Sequence, residues 1–284
     1  MKSKTLPLLV LPFMLTSCMV SSNYRIRNNV RYGEYGVRNL LDVAFPKNKK
    51  ETSLIVYIHG GGWIAGSKSK CLKNYLKKYH DEYAYAAINY RYASLKFDCD
   101  DILDDIQSAL LKIKDISNKK GYTINKVAFF GHSAGGHLSL QYGYKMKDVC
   151  PFTVGFVSSL SGPTDLTDKG YLTDSILKDM YFSLCTYLTG KEINESNFDE
   201  NKEELLKCSP ISYVDKACPT LICHGDKDDV VPYSNAETLK NKLEEANVIH
   251  EFFTYTNSGH GLDNSEDVEE LYQQKFQEYK EKYL

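Results

Sequence analysis

The stretch Val127-Ala128-Phe129-Phe130-Gly131-His132-Ser133-Ala134-Gly135-Gly136-His137 decides how this chain is read. Four apolar residues in succession have the look of a strand buried on both faces. Gly131-His132-Ser133-Ala134-Gly135 follows directly, and residues 136–140 suit a helix. Small residues on both sides of a serine permit a sharp strand-to-helix turn that lifts its hydroxyl out of the sheet. The helix N-terminus behind that turn sets backbone N–H groups and positive dipole where an oxyanion would form. Such a serine pentapeptide is a common accident in sequences, and its place between a strand and a helix is what gives it weight.

Working outward, the same pattern repeats. Apolar runs fall at residues 54–58, 84–90, 127–130, 152–157, 220–223 and 251–255, with amphipathic segments between them. At residues 101–116, Ile102, Ile106, Ala109, Leu110 and Ile113 recur at helical spacing behind an acidic start. Asp98, Asp100 and Asp101 are read as charges favoured by that helix's dipole, not as a metal cluster. A final helix over residues 265–283 carries Val268, Leu271, Tyr272, Phe276 and Tyr279 on one stripe. Alternating strands and helices predict an α/β fold with a parallel sheet, in one domain over residues 40–284. Residues 170–207 break the alternation and are expected to form an inserted cap of short helices, a common way of shaping a substrate pocket.

Three further loops gather at predicted strand ends. His59-Gly60-Gly61-Gly62-Trp63 ends the run at 54–58, and its glycines can turn N–H groups towards a ligand. It is not a phosphate loop, because no Gly-Lys-Ser/Thr follows. His224-Gly225-Asp226-Lys227-Asp228-Asp229-Val230-Val231-Pro232 follows the run at 220–223, where an α/β enzyme keeps an orienting carboxylate. Ser258-Gly259-His260-Gly261 follows the run at 251–255, whereas His250, ahead of that run, is expected at the opposite edge of the sheet. The order is therefore serine, acid, histidine, with a glycine loop upstream.

With these residues in place, the sequence resembles an α/β-hydrolase of the carboxylesterase type, nearest the acetylesterase, feruloyl-esterase-like and kynurenine-formamidase-like branches. H-G-G-G-W, Asn89-Tyr90-Arg91, G-H-S-A-G-G-H, Ser161-Gly162-Pro163-Thr164-Asp165 and H-G-x-x-D-x-x-V-P stand in register from about residue 40 onwards. The resemblance implies a mostly parallel sheet flanked by helices on both faces. It also implies Ser133 as nucleophile, His260 as general base and acid, and Asp228 as the orienting acid, with Asp226 and Asp229 as near alternatives. Oxyanion donors would be the N–H groups of Gly61, Gly62 and Ala134. After Asn89-Tyr90-Arg91 the chain continues Tyr92-Ala93-Ser94-Leu95 where many relatives have Leu-Ala/Ser-Pro-Glu, a departure that bears on the acyl or alcohol pocket and not on the triad. The implied activity is hydrolysis of short acyl esters, of small molecules or of acetylated or feruloylated glycans, needing no metal or cofactor. The 22 tyrosines offer sugar-stacking surface, a weak pointer to glycans. A formamidase or other amidase of the same fold and a non-catalytic surface binding protein on a hydrolase scaffold are the alternatives. A gated peptidase would need a propeller of several hundred residues upstream, which is missing here.

The first residues point to export. Lys2 and Lys4 precede the apolar run of residues 6–15, and Leu15-Thr16-Ser17-Cys18 resembles a bacterial lipobox. The expectation is a signal over residues 1–17, lipidation of Cys18, and a polar tether over residues 18–39. Membrane contact would then be through the lipid anchor alone. A formal net charge of −2 argues against a nucleic-acid partner. Eight cysteines without a CxxC pair support neither a zinc ribbon nor a thioredoxin-type site, and Cys185 with Cys208 is a conceivable but unforced pairing.

Overall fold

Successive side chains of a strand point to opposite faces, and this separates two cores. Leu54, Val56 and Ile58 enter one core while Ile55 enters the other; Val127 and Phe129 divide from Ala128 and Phe130 in the same way. In the computed structural model, which describes residues 23–69, 71–78, 82–173 and 175–284, these strands belong to one eight-stranded sheet. Its strands are β1 (Tyr24–Arg31), β2 (Leu40–Pro46), β3 (Glu51–Ile58), β4 (Ala84–Ile88), β5 (Thr123–His132), β6 (Thr153–Leu160), β7 (Thr220–Gly225) and β8 (His250–Tyr255). They lie in the order β1-β2-β4-β3-β5-β6-β7-β8. β1 and β2 are antiparallel to their neighbours, and every pair from β4 to β8 is parallel.

Helices cover both faces. α1 (Cys71–Lys78) and α7 (Glu266–Tyr283) bury Leu72, Leu76, Tyr272, Phe276 and Tyr279 against the second core. α2 (Cys99–Lys119), α3 (Ala134–Lys145) and α6 (Tyr233–Glu245) cover the first. The acidic start of α2 is a capping box: the Asp98 carboxylate accepts the N–H groups of Asp100 and Asp101, and the Asp101 carboxylate accepts that of Asp98. In the interrupting segment, a 3-10 turn (Lys169–Leu172) precedes α4 (Ser175–Thr189) and α5 (Lys202–Lys207). Tyr171 and Tyr181 stack there with ring centroids 4.4 Å apart.

One expectation is corrected. The tether read over residues 18–39 is, from residue 23 onwards, part of the domain: Tyr24–Arg31 pairs with β2, and a 3-10 turn spans Gly36–Asn39. The segment looks like a linker because an edge strand exposed over most of its length carries polar residues, here Arg25, Arg27, Asn28 and Arg31. The signal segment and Cys18 lie outside the described residues. The seven described cysteines are free thiols, so Cys185 and Cys208 are unpaired; Cys71 and Cys150 are partly exposed and the rest are buried.

Candidate active site

Ser133 sits between β5 and α3 with φ 57° and ψ −127°, a left-handed conformation that costs a non-glycine residue about 1–3 kcal/mol and persists only where its surroundings enforce it. The enforcement is visible. The Ser133 N–H donates to the Leu160 carbonyl at 2.8 Å, and the Ser133 carbonyl accepts the His137 N–H at 3.0 Å. A Cβ on Gly135 would stand 2.1 Å from the Ile58 carbonyl oxygen, so only glycine lets α3 start this close to the end of β3.

The sequence places an acid and a histidine on the next two loops, and the structure joins them. His260 Nδ1 donates to Asp228 Oδ2 at 2.8 Å, which leaves Nε2 with its lone pair. The Asp228 side chain has no exposed surface. Its Oδ1 accepts the N–H groups of Val230 and Val231, both at 2.9 Å. His224 Nε2 stands 3.2 Å from Oδ2 and donates also to the Val231 carbonyl at 3.0 Å. Burial alone would raise the Asp228 carboxyl; hydrogen bonds from His224, His260 and the Val231 amide overturn that and hold it far below the ordinary carboxylate range. Of the near alternatives, Asp229 is exposed and Asp226 has a buried oxygen without a partner. His250 starts β8 at the opposite sheet edge, as expected.

Ser133 and Asp228 line one cavity of about 280 Å³, and His132 ties the serine turn to the histidine loop by donating from Nε2 to the His260 carbonyl at 2.7 Å. The hydrogen bond between the Ser133 hydroxyl and His260 is not made in this structure. Such bonds commonly tighten only when substrate binds.

The glycine loop presses against the serine turn: a Cβ on Gly60 would lie 2.6 Å from the His132 carbonyl oxygen. Gly61 and Gly62 have φ of 114° and 56°, and Gly62 lines the cavity. The N–H groups of Gly61, Gly62 and Ala134 meet no acceptor among the described residues, as an oxyanion site requires. Asn89-Tyr90-Arg91 fastens this loop from below. Asn89 Oδ1 accepts the Lys68 N–H at 2.7 Å, the Tyr90 hydroxyl donates to the His59 carbonyl at 2.8 Å, and Arg91 Nε pairs with Asp105 at 3.0 Å. Tyr92-Ala93-Ser94-Leu95 does not line the cavity. Its apolar wall comes instead from Leu166, Met180, Leu184 and Val230.

Four histidines stand in the motifs without a role read for them: His59, His132, His137 and His224. His224 precedes Asp228 by one helical turn's spacing and supports its carboxylate. His137 is fully buried; its Nε2 donates to the Cys208 carbonyl at 2.7 Å, and its Nδ1 accepts the Trp63 indole N–H at 3.0 Å. Burial lowers its pKa to about 4 and keeps it neutral. Pairs this distant in sequence (63, 137 and 208) leave no periodic signal.

The BD-FAE family model matches residues 41–243, and that of the dienelactone hydrolase family matches residues 207–282. The chain is 26% identical over 242 residues to the probable carboxylic ester hydrolase LipM of Mycobacterium tuberculosis (strain ATCC 25618 / H37Rv), over 82% of this chain and 55% of that protein. It is 26% identical over 254 residues to esterase LipC of the same organism, over 84% of this chain and 60% of that one. It therefore spans between half and two thirds of the length of these curated relatives. Among solved structures, a truncated carbohydrate esterase from gut microbiota superposes with TM-score 0.72 at 22% identity, covering 91% of this chain and 97% of that one. A bacterial heroin esterase superposes with TM-score 0.71 at 17% identity, covering 96% of this chain and 90% of that one. At these identities the likeness establishes a common fold, that of the α/β-hydrolases.

Proposed function

Because the chain belongs to the BD-FAE family, we propose that it is a serine carboxylic ester hydrolase whose triad is Ser133, His260 and Asp228. The observation that carries the reading is the 2.8 Å bond from His260 Nδ1 to the buried Asp228 carboxylate, beside a serine held in a left-handed turn. That bond fixes the tautomer in which His260 Nε2 can take the serine proton. Ser133 Oγ attacks the ester carbonyl and His260 takes its proton. The oxyanion is held by the N–H groups of Gly61, Gly62 and Ala134. The imidazolium then protonates the departing alcohol, leaving an acyl-serine. Water, deprotonated by the same imidazole, attacks this ester; the acid leaves and Ser133 recovers its proton. Asp228, ionised throughout, stabilises the imidazolium in both halves.

A cavity of about 280 Å³ with an apolar wall suits a short acyl group better than a long chain. The substrate class is thus short acyl esters, with acylated glycans among them. On the strength of the lipobox, the enzyme works in the cell envelope, anchored at Cys18.

The test is labelling with a fluorophosphonate and peptide mapping, with short p-nitrophenyl esters assayed alongside. An adduct on Ser133 is expected, and Ser133→Ala should abolish labelling and lower kcat by at least about 10⁴-fold. An adduct elsewhere, or turnover unaffected by the substitution, would overturn the assignment.

A further inference from the structure

The sheet has a chemical edge and a charged edge. Ser133, Asp228 and His260 all lie beyond the C-terminal ends of β5, β7 and β8. β1 starts at the other edge: Tyr24 pairs with Pro46, the last residue of β2, and the Lys47 N–H donates to the Asn23 carbonyl at 2.8 Å. β2 runs against β4, so its end lies by the beginning of β4. Eight residues of β1 therefore separate the chain's entry from the catalytic edge, about 25 Å at strand rise.

Cations gather where the chain enters. Arg25, Arg27 and Lys120 border one groove at the entry, and Arg27 and Lys120 continue into a second that passes Lys112 and runs along β1 as far as Arg31, at the strand's other end. Lys50 joins them, donating to the Lys120 carbonyl at 2.9 Å and lying over the Tyr122 ring. The acidic side chain in these grooves is Asp115, paired with Lys119 at 2.8 Å. Among the described residues no carboxylate forms an ion pair with Arg25, Arg27, Arg31, Lys112 or Lys120. Glu51 opens β3 beside Lys50, and Glu82 pairs with Lys49 at 3.6 Å, so this flank carries a surplus of positive charge on a chain of net charge −2 and not one sign alone.

We propose that this edge seats on the anionic phospholipid headgroups of the membrane that carries the protein, turning the catalytic mouth away from the bilayer. Two observations converge on that occupant. Among the described residues Arg25, Arg27 and Lys120 form no ion pair with a carboxylate, and an anionic bilayer attracts such clusters within a Debye length. Tyr24 is six residues beyond Cys18, the anchor point in the proposed function, and six residues reach at most about 20 Å. An anchored domain thus has Tyr24 within about 20 Å of the headgroups, with this edge the nearer one. No described helix is long and apolar enough to cross a membrane. It follows that substrate arrives from the side away from the anchoring bilayer.

The eight strands and the helices on both faces lie within residues 23–284, and an unlipidated chain of residues 19–284 serves as the test protein. It should co-sediment with vesicles of phosphatidylglycerol and phosphatidylcholine at low salt, and release as potassium chloride is raised. It should ignore vesicles of phosphatidylcholine alone. Replacing Arg25→Glu, Arg27→Glu and Lys120→Glu together should weaken binding on the order of 100-fold, at about fivefold per cation. Ester turnover, unchanged in that variant, reports that it is folded, and is read separately from vesicle binding. Binding indifferent to salt or to the three substitutions, equal binding to neutral vesicles, or no binding at low salt would overturn the proposal. So would retention on polygalacturonate without vesicle binding, which would give the edge to an acidic glycan.

Discussion

Asp228 takes hydrogen from four donors: two backbone amides on Oδ1, His260 and His224 on Oδ2. An asparagine there would turn an N–H towards His260 or lose the bond, and the imidazole would settle in the tautomer that cannot take the serine proton. Asp228→Asn should therefore lower kcat about 10⁴-fold, whereas the exposed Asp229→Asn should change it less than about twofold, both measured by initial rates on short esters. The same carboxylate contributes to stability. Its folded pKa is held below the ordinary value near 3.9, so its contribution is full above that value and is lost as pH falls below it. Acid unfolding of Asp228→Asn should lack that portion of the slope.

His137 joins three elements that are far apart in the chain: the glycine loop through Trp63, α3 on which it stands, and the exit of the α4–α5 insertion through Cys208. His137→Ala would leave an indole N–H and a carbonyl without partners, at about 2–4 kcal/mol by denaturant unfolding. With a folded pKa of about 4 against an unfolded value near 6.5, neutral His137 favours the folded state above pH 6.5, and this is lost as pH falls from there towards 4. The variant should show a flatter stability profile across that window. None of this was legible in the sequence, because the partners are related only through the fold. What was legible were elements with a strong local pattern. The apolar runs at 54–58, 127–130 and 220–223 became β3, β5 and β7, and the stripes on α2 and α7 face the cores except for Leu271, which the structure leaves exposed. β1 escaped notice because nothing about Arg25, Arg27 and Asn28 taken alone asks for a sheet; the free edge of β2 supplies the reason. In the candidate site, the proposed Ser133, Asp228 and His260 stand on loops at strand ends whose pattern the sequence shows, while Leu166, Met180 and Leu184 had no such signal, since a cavity wall drawn from an insertion has no motif.

At the scale of the molecule, the parallel strands bring every proposed catalytic group to one edge and the antiparallel pair β1–β2 extends the sheet on the far side from β8. The thiols are spread across this plan: Cys71 and Cys150 near the surface, Cys185 and Cys208 within and just after the insertion, Cys218 and Cys223 leading into and along β7. Each buried sulfur is thus a stopwatch for the part of the molecule that hides it. Under native conditions a maleimide should consume Cys71 and Cys150 first. It should reach Cys185 and Cys208 at the rate at which the insertion lifts, and Cys223 only as fast as the sheet comes apart. Mass spectra taken over time would resolve the three rates, and identical rates for Cys185 and Cys223 would mean that insertion and sheet open as one. Blocking Ser133 with a fluorophosphonate and timing Cys185 again would tell whether an occupied site keeps its roof shut.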